Sequence, residues 1–159
     1  MTILDKLLQA DPPATALTAT AASTNTLDMQ QARDMNIAGN IGMDMHWEVY
    51  VSLALTSGGS TTLQIQSQGS SDNTNWFTMA ETDAIPKANL TTGTRIVVPL
   101  GQQQPQQVGT GGGIPRYYRL NYVIATGPFT GGTIEADLVV SAPHMNNPPS
   151  YPPGITVAN

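Results

Sequence analysis

Residues 116–140, R-Y-Y-R-L-N-Y-V-I-A-T-G-P-F-T-G-G-T-I-E-A-D-L-V-V, leave this chain few choices of fold. Two runs rich in β-branched and aromatic residues flank residues 126–132, which hold three glycines and a proline. In the first run Tyr118, Leu120, Tyr122 and Ile124 share a face. In the second, Ile134, Ala136, Leu138 and Val140 share one, and Glu135 and Asp137 point the other way. Alternation with a period of two around Gly/Pro punctuation predicts a β-hairpin. A lone hairpin is marginal in water, so the rest of the chain has to supply sheets that cover it.

Residues 44–56 are the longest strand candidate, with Trp47, Val49, Val51, Leu53 and Leu55 alternating with more polar positions. A Ser-Gly-Gly-Ser turn follows, then residues 61–68 with Leu63 and Ile65 on one side and Gln64 and Gln66 on the other; the pair predicts a second hairpin. Further short strands are expected at residues 25–29, 76–81 and 94–100. Residues 69–75 read as a polar loop, and residues 101–114, rich in Gln and Gly, as a low-complexity loop. About eight short strands without a long helix predict an all-β fold, an antiparallel β-sandwich of jelly-roll type.

The ends read differently. Residues 2–10 place Ile3, Leu4, Leu7 and Leu8 at helical spacing, enough for one or two turns that are unstable alone. An Ala/Thr/Ser tract follows, read as an extended arm. Residues 143–159 contain five prolines and favour polyproline-like extension, with Tyr151, Ile155 and Val157 as apolar knobs. The expected organisation is an N-terminal arm at 1–22, a sandwich domain at 23–142 and an extended tail at 143–159.

Charge and composition narrow the function. Charged residues make up 11% of the chain, and glycine and uncharged polar residues take their place. The net charge is -5, with six Lys and Arg residues and no basic run. Direct nucleic-acid binding is not expected, since neutralising phosphates needs clustered cations. The net negative charge lies in residues 1–80, which reads first as a solvated surface and second as one that could oppose a basic partner. No cysteine is present, which rules out disulfides and thiolate chemistry. No apolar run approaches a membrane span, and neither a membrane association nor a secretion signal is expected.

Candidate chemistry is sparse. His46 stands at strand spacing from Asp44 and Glu48, and Asp72, Asn73 and Asn75 form an oxygen-rich loop. The first lacks a full ligand set and the second lacks the closing acid of a calcium loop, so no metal or other cofactor is expected. An Asx-rich turn is the better reading of residues 72–75. The i, i+2 acid pairs Glu81/Asp83 and Glu135/Asp137 show no sign of the divided environments that acid/base catalysis needs; the second is a solvated edge or a partner for Arg116 or Arg119. No nucleophile elbow or phosphate loop is present, and an enzyme is not expected. Trp76, Tyr117 and Tyr118 offer aromatic rings on which a sugar could stack, with core packing the ordinary alternative for Trp76.

The opening T-I-L-D-K-L-L-Q, the Ala/Thr/Ser tract, the A-R-D connection, Q-I-Q-S-Q-G-S-S-D-N-T-N-W, R-Y-Y-R-L-N-Y and the ending Y-P-P-G-I-T-V-A-N occur in an order that resembles the cement (decoration) proteins on the capsids of short-tailed bacteriophages. The resemblance runs along nearly the whole chain, and the loop at 102–113 departs from it. It implies a jelly-roll or related sandwich with no catalytic residues. It further implies a homo-oligomer, a dimer rather than a trimer, on the outer capsid surface, bridging neighbouring major capsid proteins against internal DNA pressure.

Such a protein stabilises a lattice by binding only the assembled form, and many copies multiply modest contacts. The arms are the expected contact elements, through Ile3, Leu4, Leu7, Leu8, Tyr151, Ile155 and Val157. The outward residues Tyr117, Arg119, Glu135 and Asp137 are the candidates for a subunit interface. The alternative is a carbohydrate-binding β-sandwich of a phage fibre or receptor-binding component, built around Trp76.

Overall fold

The computed structural model describes residues 8–29, 44–101 and 115–141. Its strands are β1 (Gln9–Ala16), β2 (Ala21–Ala22), β3 (Leu27–Asp28), β4 (Asp44–Thr56), β5 (Thr62–Ser70), β6 (Phe77–Glu81), β7 (Ile85–Pro86), β8 (Arg95–Pro99), β9 (Tyr117–Ala125) and β10 (Gly131–Ser141). A 3-10 turn, Lys87–Asn89, leads from β7 towards β8. A front sheet runs β1-β10-β4-β8 and a back sheet runs β2-β9-β5-β6, with β3 on β9 and β7 on β5. Every pairing among these strands is antiparallel. Setting aside the two-residue β3 and β7, each step along the chain changes sheet except β5 to β6. That winding is the jelly roll of the expected all-β sandwich.

Both expected hairpins are corrected by this topology. β9 pairs with β5 and β10 pairs with β4, so residues 116–140 cross from the back sheet to the front sheet. The strands β4 and β5 likewise sit in opposite sheets. Alternation reports which side of a strand is buried, and it is the same for a hairpin and for two strands facing each other across a core. The connection makes the difference. Thr126 and Gly127 turn the chain at φ 64° and 107°. Phe129 is then buried among the core residues, its N–H donating to the Thr18 carbonyl at 3.1 Å.

The core lies between the inner faces. The front sheet contributes Trp47, Val49, Val51, Val98, Ile134, Ala136 and Leu138, and the back sheet Leu63, Ile65, Tyr118, Leu120 and Tyr122, all buried. Two polar links join the layers. The Trp47 indole N–H donates to Ser67 Oγ at 2.9 Å, and that hydroxyl donates to the Leu100 carbonyl at 2.8 Å. At one edge, Asp11 of β1 accepts from Tyr122 Oη of β9 at 2.6 Å.

Leu53 departs from its expected inward face. The β10–β4 register shifts between Thr133 and Ile134, which face Leu53 and Val51. A bulge of this kind inserts one residue and breaks the alternation. Ser52 and Leu53 therefore both lie on the outer side, where Ser52 Oγ and Thr133 Oγ1 are 2.8 Å apart. Gly132 stands beside the shift at φ 113°, and a Cβ there would meet the Ala54 carbonyl at 2.6 Å and Leu55 Cα at 2.7 Å. Gly132→Ala is expected to cost about 2 kcal/mol or more through strain and overpacking, read as a lowered urea midpoint with an unchanged slope.

The helical turns expected in residues 2–10 do not extend to its described end. From Gln9 the chain is extended and paired with β10. Pro12 and Pro13 fit there because β1 is an edge strand with irregular register, where missing N–H donors cost no ladder bond.

Candidate functional site

The two outer faces of the sandwich differ in their chemistry. The back face is amide-rich and satisfied within itself. Asn121 Nδ2 donates to Gln66 Oε1 at 2.8 Å, Gln66 Nε2 to Glu81 Oε2 at 3.0 Å, and Gln64 Nε2 to the Thr82 carbonyl at 3.1 Å. Arg119 Nε donates to Gln68 Oε1 at 2.8 Å, and its guanidinium lies 4.0 Å from the centroid of the Trp76 ring. Partial burial lowers the Arg119 pKa from its ordinary value, and the cation–π contact offsets the lost hydration. One face of Trp76 is thereby taken by its own chain.

The front face is built otherwise. Strand register places Gln9, Asp137, Glu48 and Val97 side by side across β1, β10, β4 and β8, with Glu135, Tyr50 and Arg95 in the adjacent rank. The exposed large apolar residues among those described are Tyr50, Leu53 and Val97, and all three belong to this face. Leu53 and Val97 keep 56% and 59% of their surface in solvent. Scattered exposed apolar residues are ordinary; what distinguishes these is that, among the described residues, all lie on one sheet face.

Acids accompany them. Glu48 pairs with Arg95, whereas neither Glu135 nor Asp137 has an ion-pair partner among the described residues. Asp137 is 8% exposed, and its Oδ1 has no hydrogen-bond partner. Burial, then the charge of Glu135, raises the Asp137 pKa from its ordinary value; a hydrogen bond from the Gln9 side chain acts against them.

These positions correct the expectation that the outward residues of 116–140 could share an interface. Tyr117 and Arg119 lie on the back face and Glu135 and Asp137 on the front, on opposite sides of the sandwich. The arginines proposed as partners for the acids are engaged elsewhere. Arg116 forms a bidentate pair with Asp28 at 2.6 and 2.7 Å and lies 4.9 Å from the Tyr117 ring, while Arg119 sits on Trp76. Tyr118, considered for sugar stacking, is buried in the core.

Of the arm residues, Ile3, Leu4, Leu7, Tyr151, Ile155 and Val157 lie outside the described residues. Leu8 is half-buried and packs on the sandwich's own core. Residues 9–16 and 21–22 of the segment expected as an arm are sheet strands. Their deletion would remove Asp11 from the interior, so a truncation that probes the N-terminal contacts stops before Leu8.

Residues 72–75 form the Asx-rich turn. Asp72 Oδ1 accepts from the N–H groups of Thr74 at 2.9 Å and Asn75 at 2.7 Å, and Asn75 Nδ2 donates to Oδ2 at 2.7 Å. The backbone bonds from Asn75 and then Thr74 hold this carboxyl well below the usual carboxylate range. No group of three or more His, Asp or Glu side chains is arranged to hold a metal ion among the described residues. Nor, among them, is any helix long and apolar enough to cross a membrane.

The sequence reading passed over Tyr50 and Val97 and placed Leu53 on the inner face. Tyr50 and Val97 carried a usable signal, since each is an apolar residue at an outward position of an otherwise regular strand. Leu53 carried none, because a bulge depends on the partner strand.

Comparison with known proteins adds a family. The model of the family described as Bbp16 matches residues 12–138, from β1 into β10, so the chain belongs to that family. No curated protein matches it.

Proposed function

We propose that this member of the Bbp16 family is a structural virion protein, a cement protein that binds the outer surface of an assembled icosahedral capsid and bridges neighbouring major capsid proteins. It acts as a homo-oligomer, has no enzymatic role, and lends strength to the lattice by binding the assembled form alone. The observation that carries this reading is the asymmetry of the sandwich: Tyr50, Leu53 and Val97 with acids on the front face, against a self-satisfied back face. The ordered motifs that resemble phage cement proteins supply the partner. The carbohydrate reading has less support, because Arg119 covers one face of the Trp76 ring.

The test is sedimentation of the purified protein with shells assembled from the major capsid protein. Saturable binding to shells, and none to unassembled subunits, is expected. Leu53→Ser with Val97→Ser alters two side chains that are more than half exposed. The pair is expected to leave Tm nearly unchanged and to weaken shell binding about tenfold or more. Wild-type affinity in the double variant would remove the front face as the docking surface.

A further inference from the structure

The front face holds one feature that an apolar patch does not explain. A buried carboxylate oxygen without a partner is uncommon in folded proteins and calls for a cause. Asp137 is more than nine-tenths buried, Oδ1 is unpartnered, and the side chain stands on an outward register position between Gln9 and Glu48. Glu135 lies two residues along the same face, without a cation, while the nearby Arg95 is committed to Glu48. The rank therefore carries more negative charge than its own chain offsets. The donor supplied to the Asp137 carboxyl is the neutral amide of Gln9, a side chain with three rotatable bonds that can swing aside.

We propose that Asp137, with Glu135 beside it, is a socket for an arginine side chain presented by the shell protein that docks on this face. A guanidinium supplies what the site lacks: a fixed positive charge and several N–H donors in a planar fork that matches a carboxylate. It would satisfy Oδ1, displace or join Gln9, and relieve the repulsion between Glu135 and Asp137. Its aliphatic stem would lie along the apolar part of the face. Apolar contacts from Tyr50 and Val97, in the ranks of Glu135 and Asp137, would exclude water around the pair, which is where a charge pair contributes most to binding.

This inference rests on the docking reading above, and one experiment separates the two. Shell sedimentation is measured for the wild type, Asp137→Asn and Glu135→Gln at low and moderate salt, together with each protein's Tm. Asp137→Asn keeps the shape and removes the charge. It is expected to bind shells about tenfold or more weakly while its Tm stays equal or rises, since an uncompensated buried charge is gone. Glu135→Gln is expected to lose about two- to fivefold and to flatten the salt dependence. If the wild type binds shells and Asp137→Asn binds equally well, the socket is refuted and the docking face stands. A lowered Tm in Asp137→Asn also refutes it, because the carboxylate is then a structural group. If the wild type does not bind shells at all, the docking reading fails and the socket with it.

Discussion

Replacing Trp47 with alanine is expected to cost about 4 kcal/mol, enough to leave a domain of ordinary stability barely folded. The side chain has no exposure and fills the space between the sheets. Its loss removes the largest buried apolar surface of β4 and leaves a cavity that the surrounding strands cannot close, because each is tied into a ladder. It also strips the indole donor from Ser67 Oγ, which bridges on to the Leu100 carbonyl and so links β5 to the end of β8. Trp47→Phe keeps most of the volume and loses the donor, so about 1–2 kcal/mol is expected. Urea unfolding followed by far-UV circular dichroism gives both values. A loss below about 1 kcal/mol in the alanine variant would mean that Trp47 is not the central packing element.

The second large effect is at the sandwich edge. Asp11→Ala is expected to destabilise by about 3 kcal/mol. The Asp11 carboxylate is 1% exposed and accepts three bonds: from Tyr122 Oη at 2.6 Å, and from the N–H and Oγ1 of Thr24 at 2.7 Å each. Removing the acceptor strands three donors, whereas Tyr122→Phe removes one donor and is expected to cost only about 1 kcal/mol. The bond also makes stability depend on alkaline pH. Burial first, and then the Asp11 charge, push the Tyr122 pKa well above its ordinary value of 10.0. The folded chain keeps a proton that the unfolded chain releases near pH 10, so the unfolded chain binds fewer protons there. This contribution is therefore complete below about pH 10 and is lost as pH rises further. The urea midpoint of the wild type is expected to fall more steeply between pH 9 and 11 than that of Tyr122→Phe. Equal slopes would deny the coupling.

These two sites show what the sequence made legible. Trp47 was readable as core, because strict alternation in residues 44–51 has one buried solution. The all-β class and the strand positions followed from the same pattern and from the Gly/Pro punctuation. Pairing did not, since a strand's partner depends on the path of its connections; hence β9 and β10 face each other across the core instead of forming a hairpin. Asp11 was hidden for a related reason. An acid beside two prolines reads as arm or turn, and only the irregular β1–β10 register brings it against Tyr122, 111 residues away. The front face was half legible: Glu135 and Asp137 were singled out, but as companions of Tyr117 and Arg119. Separating the two pairs needed the topology, and the missing partner of Asp137 needed the side-chain packing.

The most direct test of the cement assignment is the copy number of the protein in purified virions, measured by quantitative mass spectrometry against the major capsid protein. A decorating protein that bridges lattice subunits is expected in hundreds of copies per particle, in a fixed ratio to the shell. A handful of copies would fit a fibre component, and none would contradict a role in the virion altogether.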